Sequence, residues 1–112
     1  MNVEQTIIQA LASKGYGAYA DVPNPMPASF VTVERTGGGA RNKVDAPILA
    51  VQVWAGGRKA AADMADAVRC DLESLTGTLG LGAVRVSSIY NWPDLQSRRA
   101  RYQLTVEAAA HI

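Results

Sequence analysis

Two alternating segments on either side of a glycine-rich run constrain this chain most. In Phe30–Arg35 and in Leu49–Val53, apolar and polar side chains alternate, which is the period-two pattern of half-buried strands. Between them, Thr36–Asp45 contains three consecutive glycines, which offer no side-chain contacts and lose much backbone entropy when ordered. We therefore predict a long antiparallel hairpin with a mobile, protruding tip that is neither helix nor strand.

Apolar residues recur at helical spacing in two other parts of the chain. The first stripe follows Asn2, a residue type that caps helices, and stops before Gly15. The second runs from Gly56 to about Leu75, and its apolar side is expected to face the sheet. These patterns predict two amphipathic helices.

The remaining segments complete an α+β domain that spans residues 1–112. Tyr16–Asp21 and Val84–Ile89 are predicted strands, and Arg101–Ala109 alternates clearly enough to be the last one. The proline-rich segment Val22–Pro27 is predicted to be a stiff, extended linker. We predict an antiparallel sheet of four to five strands with two helices, and the long hairpin with its protruding glycine-rich loop.

Bulk composition narrows the class of protein. The formal net charge is +1, so no overall field attracts nucleic acid or an anionic membrane. A single cysteine excludes an intramolecular disulfide framework and fits a reducing compartment. The sequence contains no apolar run long enough for a membrane-spanning helix and no pattern typical of a signal peptide. We expect a protein that is used inside a cell without membrane contact.

Residues able to support catalysis are sparse. His111 is the sole histidine and lies next to the end of the sequence, where fraying is common. Cys70 has Asp66 one helical turn earlier and Asp71 beside it, and these carboxylates disfavour a reactive thiolate. No histidine or cysteine cluster has the spacing of zinc ligands. We expect neither enzymatic activity nor a cofactor or metal site.

Basic residues form two groups that are candidates for binding a partner. Such groups contact phosphates in nucleic-acid-binding modules, or they solvate loop ends and pair with acidic groups of a neighbouring subunit. The small net charge favours the second interpretation. The groups are Arg35, Arg41 and Lys43 around the glycines, and Arg98, Arg99 and Arg101 before the last strand.

Two tryptophans lie near the ends of predicted elements. If the second helix covers the face that carries Val51 and Val53, Trp54 belongs to the opposite face, together with Phe30. Aromatic residues on an uncovered face indicate a subunit interface, and Trp92 extends this candidate surface. Packing against the first helix or the proline-rich linker explains the same residues, so both interpretations remain open.

In their order along the chain, these features form a recognisable combination. Pro25–Gly39 contains Phe-Val-Thr-Val-Glu-Arg-Thr-Gly-Gly-Gly, and Val53–Ala55 ends an apolar strand with Val-Trp-Ala. An alanine-rich helix at Lys59–Leu75 follows, and Arg101–Glu107 reads Arg-Tyr-Gln-Leu-Thr-Val-Glu. The combination resembles the tail terminator, or tail-completion, proteins of long-tailed bacteriophages and prophages.

The resemblance implies a structural role in the virion tail, with assembly in the host cytoplasm. Tail terminators form hexameric rings that cap the finished tail tube, stop its polymerisation and provide the surface for joining the head. The implied partners are further copies of the chain, the major tail tube protein and a head–tail connector protein, with DNA in the ring lumen as a potential contact. The alternatives are a small nucleic-acid-binding module or another neck or connector protein of a phage.

By this analogy the Thr36–Asp45 loop projects toward the ring lumen or a neighbouring tail protein. The resemblance supplies no catalytic residues, so the interface residues come from the basic and aromatic patterns above. The hypothetical interface consists of Phe30, Arg35, Gly37, Gly38, Gly39, Arg41, Lys43, Trp54, Trp92, Arg98, Arg99 and Arg101.

Overall fold

A computed structural model of the chain describes residues 1–111 and contains two helices and a seven-stranded sheet. The elements are α1 (Val3–Ser13), β1 (Ala18–Tyr19), β2 (Phe30–Gly37), β3 (Ala40–Arg41), β4 (Val44–Asp45), β5 (Ile48–Ala55), α2 (Arg58–Glu73), β6 (Leu81–Asn91) and β7 (Ala100–His111). The four long strands lie in the order β2, β5, β7, β6, and all three neighbouring pairs are antiparallel. Neither helix is long and apolar enough to cross a membrane.

The α+β class is confirmed, but the predicted strand count and the purely antiparallel sheet are wrong. Strand β1 runs parallel to β2, because the segment after it carries the chain back along the sheet before β2 begins. The other additional strands are β3 and β4, which pair with each other, and β4 also pairs with the end of β7. The sheet is therefore mixed and has seven strands.

Both helices pack against one face of the sheet and form the hydrophobic core there. Alternate residues of β2, β5 and β7 point into this layer, where they meet the apolar stripes of α1 and α2. Complete burial of each such side chain stabilises the fold by about 1.5–3 kcal/mol relative to exposure. The fully buried members are Ile7, Leu11, Val31, Val33, Leu49, Val51, Val53, Val68, Leu72, Leu104 and Val106.

The hairpin tip contains the short strands β3 and β4, contrary to the prediction that it is neither helix nor strand. Asn42 and Lys43 have φ angles of 52° and 63°, the positive values that a type I′ turn requires at both central residues. Gly38 has φ +85° and lies directly against the backbone of Ala46 and Pro47. Gly38 therefore allows the chain after β2 to turn back against Ala46 and Pro47 instead of projecting freely.

Helix α2 is linked to the segment after α1 by one hydrogen bond. The hydroxyl of Tyr16 donates to the carboxylate of Asp71 over 2.6 Å. Burial, together with this bond and the negative charge of Asp71, raises the pKa of Tyr16 to about 12. The bond thus joins α2 to the segment that follows α1, on the same side of the sheet.

Substitution at Gly38 is expected to destabilise the protein more than substitution at its neighbour. A β-carbon on Gly38 would collide with the carbonyl oxygen of Ala46 and lie 2.8 Å from the α-carbon of Pro47, whereas one on Gly39 meets nothing within 4 Å. We expect Gly38→Ala to lower the free energy of unfolding by about 1–3 kcal/mol and Gly39→Ala by less than about 1 kcal/mol. Urea titration measures both, and equal effects would contradict the packing described for Gly38.

Alkaline pH is expected to weaken the link between Tyr16 and Asp71. The pKa of Tyr16 rises from 10.0 to about 12 on folding, so the folded state keeps this proton where the unfolded chain loses it. The contribution is complete below pH 10.0 and is lost as pH increases toward 12. In thermal melts across this window, Tyr16→Phe should be less sensitive to pH than the wild type. Identical pH slopes would contradict the assignment.

Candidate functional site

On the sheet face opposite the helices, a row of aromatic side chains crosses five strands and encloses one arginine. Its members, in spatial order, are Tyr19, Phe30, Trp54, Arg101, Trp92 and Tyr90, and we call them the aromatic row. Tyr19 meets Phe30 edge-on with ring centroids 6.3 Å apart, and Phe30 stacks on Trp54 at 5.1 Å. At the other end, Trp92 and Tyr90 lie 6.4 Å apart.

Strand register brings this row together. Phe30 is directly opposite Trp54, which is in turn opposite Arg101, so the three side chains share one face and one level. The guanidinium carbon of Arg101 lies 4.8 Å from the Trp54 ring centroid and 4.4 Å from that of Trp92. Its Nε also donates to the carbonyl oxygen of Trp92 over 2.8 Å. The charge of Arg101 is therefore held between two indole rings.

A second row, one level along the strands, consists of hydrogen-bonded polar side chains. Trp54 Nε1 donates to the hydroxyl of Thr32 over 3.3 Å, and that hydroxyl donates to Gln52 over 3.4 Å. Gln52 donates to Gln103 over 3.1 Å, and Gln103 donates to the hydroxyl of Tyr90 over 2.7 Å. The helix-free face is thus a preorganised, half-exposed surface that links four strands.

The middle of the aromatic row is buried, and both of its ends are exposed. Phe30 is fully buried and Trp54 is 3% exposed, whereas Tyr19 is 37%, Trp92 46% and Tyr90 43% exposed. The loop between β6 and β7 helps to close the buried middle, because the guanidinium of Arg99 donates to the carbonyl oxygens of Ala28 and Met26. The larger accessible part of the row, with two exposed rings, is at β6.

The loop that follows Trp92 is held in shape by Asp94. The Asp94 carboxylate accepts hydrogen bonds from the backbone N–H and the hydroxyl of Ser97, and the Asp94 N–H donates to the carbonyl oxygen of Arg99. The hydrogen bond from the Ser97 hydroxyl is the main reason why the pKa of Asp94 lies below its ordinary value. This loop presents Leu95 to solvent with 87% of its surface exposed.

At the hairpin tip, Arg35 makes a two-pronged ion pair. Its two terminal nitrogens lie 2.7 and 2.8 Å from the carboxylate oxygens of Asp45, and its Nε donates to the carbonyl oxygen of Gly37. The hydrogen bonds of this pair lower the pKa of Asp45 and raise that of Arg35. Arg35 therefore links β2 to β4 and stabilises the hairpin tip.

The six basic residues considered as phosphate contacts fall into two classes. Arg35, Arg99 and Arg101 make the internal contacts described above. Arg41, Lys43 and Arg98 are exposed, and their side chains form no ion pair or hydrogen bond with any other residue of the described range. The two exposed tip residues are far from Arg98 along the sheet. The tip lies next to the last residues of β7, whereas Arg98 precedes its first residue.

Several residues of the helix-free face were missed from the sequence. The predicted strand ends at Ile89, but β6 extends through Asn91 and places Tyr90 opposite Gln103. Gln52 and Gln103 carry no signal as separate polar residues. Cross-strand register makes them partners, so the available signal was their shared parity with Trp54 and Arg101 in alternating strands.

The residue types that most often support catalysis or metal binding are not brought together in residues 1–111. Within that range, no group of three or more histidine, cysteine, aspartate or glutamate side chains is placed to hold a metal ion. Cys70 is exposed on α2, and His111 is exposed at the end of β7.

Comparison with known proteins leaves the family open. No protein-family model matches the chain, and no curated protein matches its sequence significantly.

Removing the enclosed arginine is expected to disturb the aromatic row. We expect Arg101→Ala to lower the free energy of unfolding by about 1–3 kcal/mol, because both indoles lose a stacked cation and its aliphatic stem. Arg98→Ala is the matched control, since Arg98 is exposed on the loop that precedes β7. Chemical denaturation, with acrylamide quenching of tryptophan fluorescence, measures both effects. Equal stability of the two variants would contradict a structural role for Arg101.

Proposed function

We propose that this protein is a tail terminator that assembles as a ring on the tail tube of a long-tailed bacteriophage. One observation carries the proposal: the segments on which the resemblance depends are neighbours in the fold. Phe30 of the glycine-run segment, Trp54 of the Val-Trp-Ala strand and Arg101 of the final strand are in direct contact. Three of the segments that carry the sequence pattern therefore meet in one contiguous cluster of side chains.

The proposed activity is structural rather than enzymatic. The ring would consist of further copies of this chain, most simply six, and would contact the major tail tube protein on one side and a head–tail connector on the other. Its place is the virion tail, after assembly in the host cytoplasm. A sheet with one helix-free, half-exposed face suits a protein that buries additional surface when it assembles.

Nucleic-acid binding is the less well supported candidate. Three of the six basic residues that could contact phosphates are engaged inside the fold, by Asp45, by backbone carbonyls and by two tryptophans. The exposed remainder is a weak electrostatic footprint for a chain of net charge +1. Another neck or connector role involves the same type of protein surface and differs in the partner that is recognised.

Tail tube assembly in vitro tests the proposed function. Purified tube protein polymerised alone should form tubes of uncontrolled length, and addition of this protein in small molar amounts should stop growth at one end. Electron microscopy measures the length distribution and the presence of a terminal ring. Unchanged tube lengths, together with salt-dependent binding of duplex DNA, would overturn the proposal in favour of the nucleic-acid-binding candidate.

Charge reversal at the hairpin tip tests the role of the exposed basic residues. We expect Arg41→Glu combined with Lys43→Glu to weaken capping without lowering thermal stability, because neither side chain forms an ion pair or hydrogen bond with another described residue. Arg58→Glu is the matched control on an exposed residue of α2. Normal termination by the double variant, measured as tube length, would show that the tip is only a connector between β2 and β5.

A further inference from the structure

Strand β6 lies at the edge of the sheet, and only half of its free edge is protected. The last turn of α2 and the residues after it cover the first half. The N–H of Val84 donates to the Thr76 hydroxyl over 3.0 Å, and that hydroxyl donates to the carbonyl oxygen of Val84 over 3.2 Å. The N–H of Val86 donates to the Glu73 carboxylate over 3.3 Å. A free edge is a template for strand pairing, so such protection has a physical purpose.

Beyond a bulge between Val86 and Ser88, this protection stops. The backbone N–H of Trp92 donates to the carbonyl oxygen of Arg101 and therefore points toward β7. Because the direction of the backbone groups alternates along a strand, Ile89 and Asn91 direct their N–H and C=O groups away from β7. In residues 1–111, no other strand and no side chain bonds to these outward groups. Two exposed aromatic residues belong to the same part of the chain, because Tyr90 lies within this stretch and Trp92 directly follows it.

The opposite border of the sheet has a second unprotected stretch. Strand β1 pairs only with Val31 and Thr32 of β2, and the N–H of Val31 donates to Gly17 on that side. By alternation, Arg35 also directs its backbone groups outward, away from β5. No strand covers the outer side of β2 from Glu34 to Gly37.

We infer that these two stretches pair with each other between neighbouring copies of the chain. The inference rests on the proposed ring and specifies its subunit contact: β6 of one copy lies antiparallel to β2 of the next. Within one copy, three successive antiparallel pairings already make β6 antiparallel to β2. Rotation about an axis roughly along the strands therefore brings the two free edges together in the direction that antiparallel pairing requires.

Backbone direction and side-chain faces allow Arg35 to pair with Ile89 or with Asn91, and the Tyr90 hydroxyl favours Ile89. Outward-directed Ile89 pairs with outward-directed Arg35 through two hydrogen bonds, which places Tyr90 opposite Glu34 on the helix-free face. The Tyr90 hydroxyl accepts its intramolecular bond from Gln103, so its own proton remains to be donated to the neighbour's Glu34 carboxylate. Glu34 is exposed and makes no hydrogen bond or ion pair within residues 1–111, which leaves its carboxylate available.

The contact is head-to-tail, and this property separates it from a simple dimer. Pairing of β6 with β6 of a second copy would occupy the β6 edges of both copies and end assembly at two chains. Pairing of β6 with β2 leaves one free edge of each type on every growing oligomer until a ring closes.

Disulfide trapping tests the register. In a Cys70→Ser background, which removes the exposed native thiol, a chain carrying Glu34→Cys and Tyr90→Cys is oxidised mildly at high concentration. Opposed residues of this pair type have α-carbons about 4.5 Å apart, which a disulfide can span. Within one chain the two positions are three strands apart, about 14 Å, so no internal bridge forms. We expect a ladder of covalent oligomers that ends in a closed species.

The controls are the two single cysteine variants, their mixture, and a double variant with the second cysteine on the protected half of β6. Each single variant should remain monomeric, and an equimolar mixture of the two should give dimers only. Glu34→Cys with Arg85→Cys should give no ladder, because Arg85 lies on the protected half of β6. Dimers from Tyr90→Cys alone would overturn the inference by showing that β6 pairs with itself, and equal ladders from the Arg85 control would overturn it as non-specific.

The same proteins separate this inference from the proposed function. Rings seen by native mass spectrometry or on tube ends, without a disulfide between positions 34 and 90, would overturn the subunit contact and leave the capping role intact. A covalent ladder from a protein that does not alter tube length would support the contact and overturn the capping role.

Discussion

The antiparallel register of β5 between β2 and β7 is the constraint on which the rest of the structure depends. It divides alternate residues between two faces, so Val33, Val51 and Leu104 enter the core while Thr32, Gln52 and Gln103 form a polar row. A shift of one residue in either pairing would exchange the two sets and bury amides without partners. The core and the candidate partner surface are therefore two consequences of one arrangement.

The two faces of the sheet are stabilised by different physics. The helix side is a close-packed layer of valine, leucine, isoleucine and alanine, whose burial is the dominant driving force. The other side relies on geometry, with stacked rings, an enclosed guanidinium and a chain of side-chain hydrogen bonds. No side-chain nitrogen or oxygen buried in residues 1–111 lacks a partner. Such a face can remain half exposed and still be rigid enough to bind a partner without reorganisation.

The edges of the sheet are as informative as its faces. Thr76 and Glu73 provide side-chain partners for the first half of β6, and the hairpin tip extends the sheet at the end of β7. The unprotected stretches that remain on β2 and β6 have matching direction and parity. Their placement is the basis of the proposed subunit contact.

The sequence by itself determined the α+β class, the two helices, and the long hairpin with its alternating faces, because these depend on local periodicity. By parity it also placed Phe30 and Trp54 on the face opposite Val51 and Val53, and the structure shows that both helices lie on the Val51 side. Only the tertiary structure decided the strand count, the short strands of the tip and the roles of the arginines. The ion pair of Arg35 with Asp45 and the enclosure of Arg101 join residues that are distant in sequence or separated by a turn. Composition cannot distinguish a basic residue that is free to bind a partner from one already held by such contacts, because that difference arises from strand register and packing.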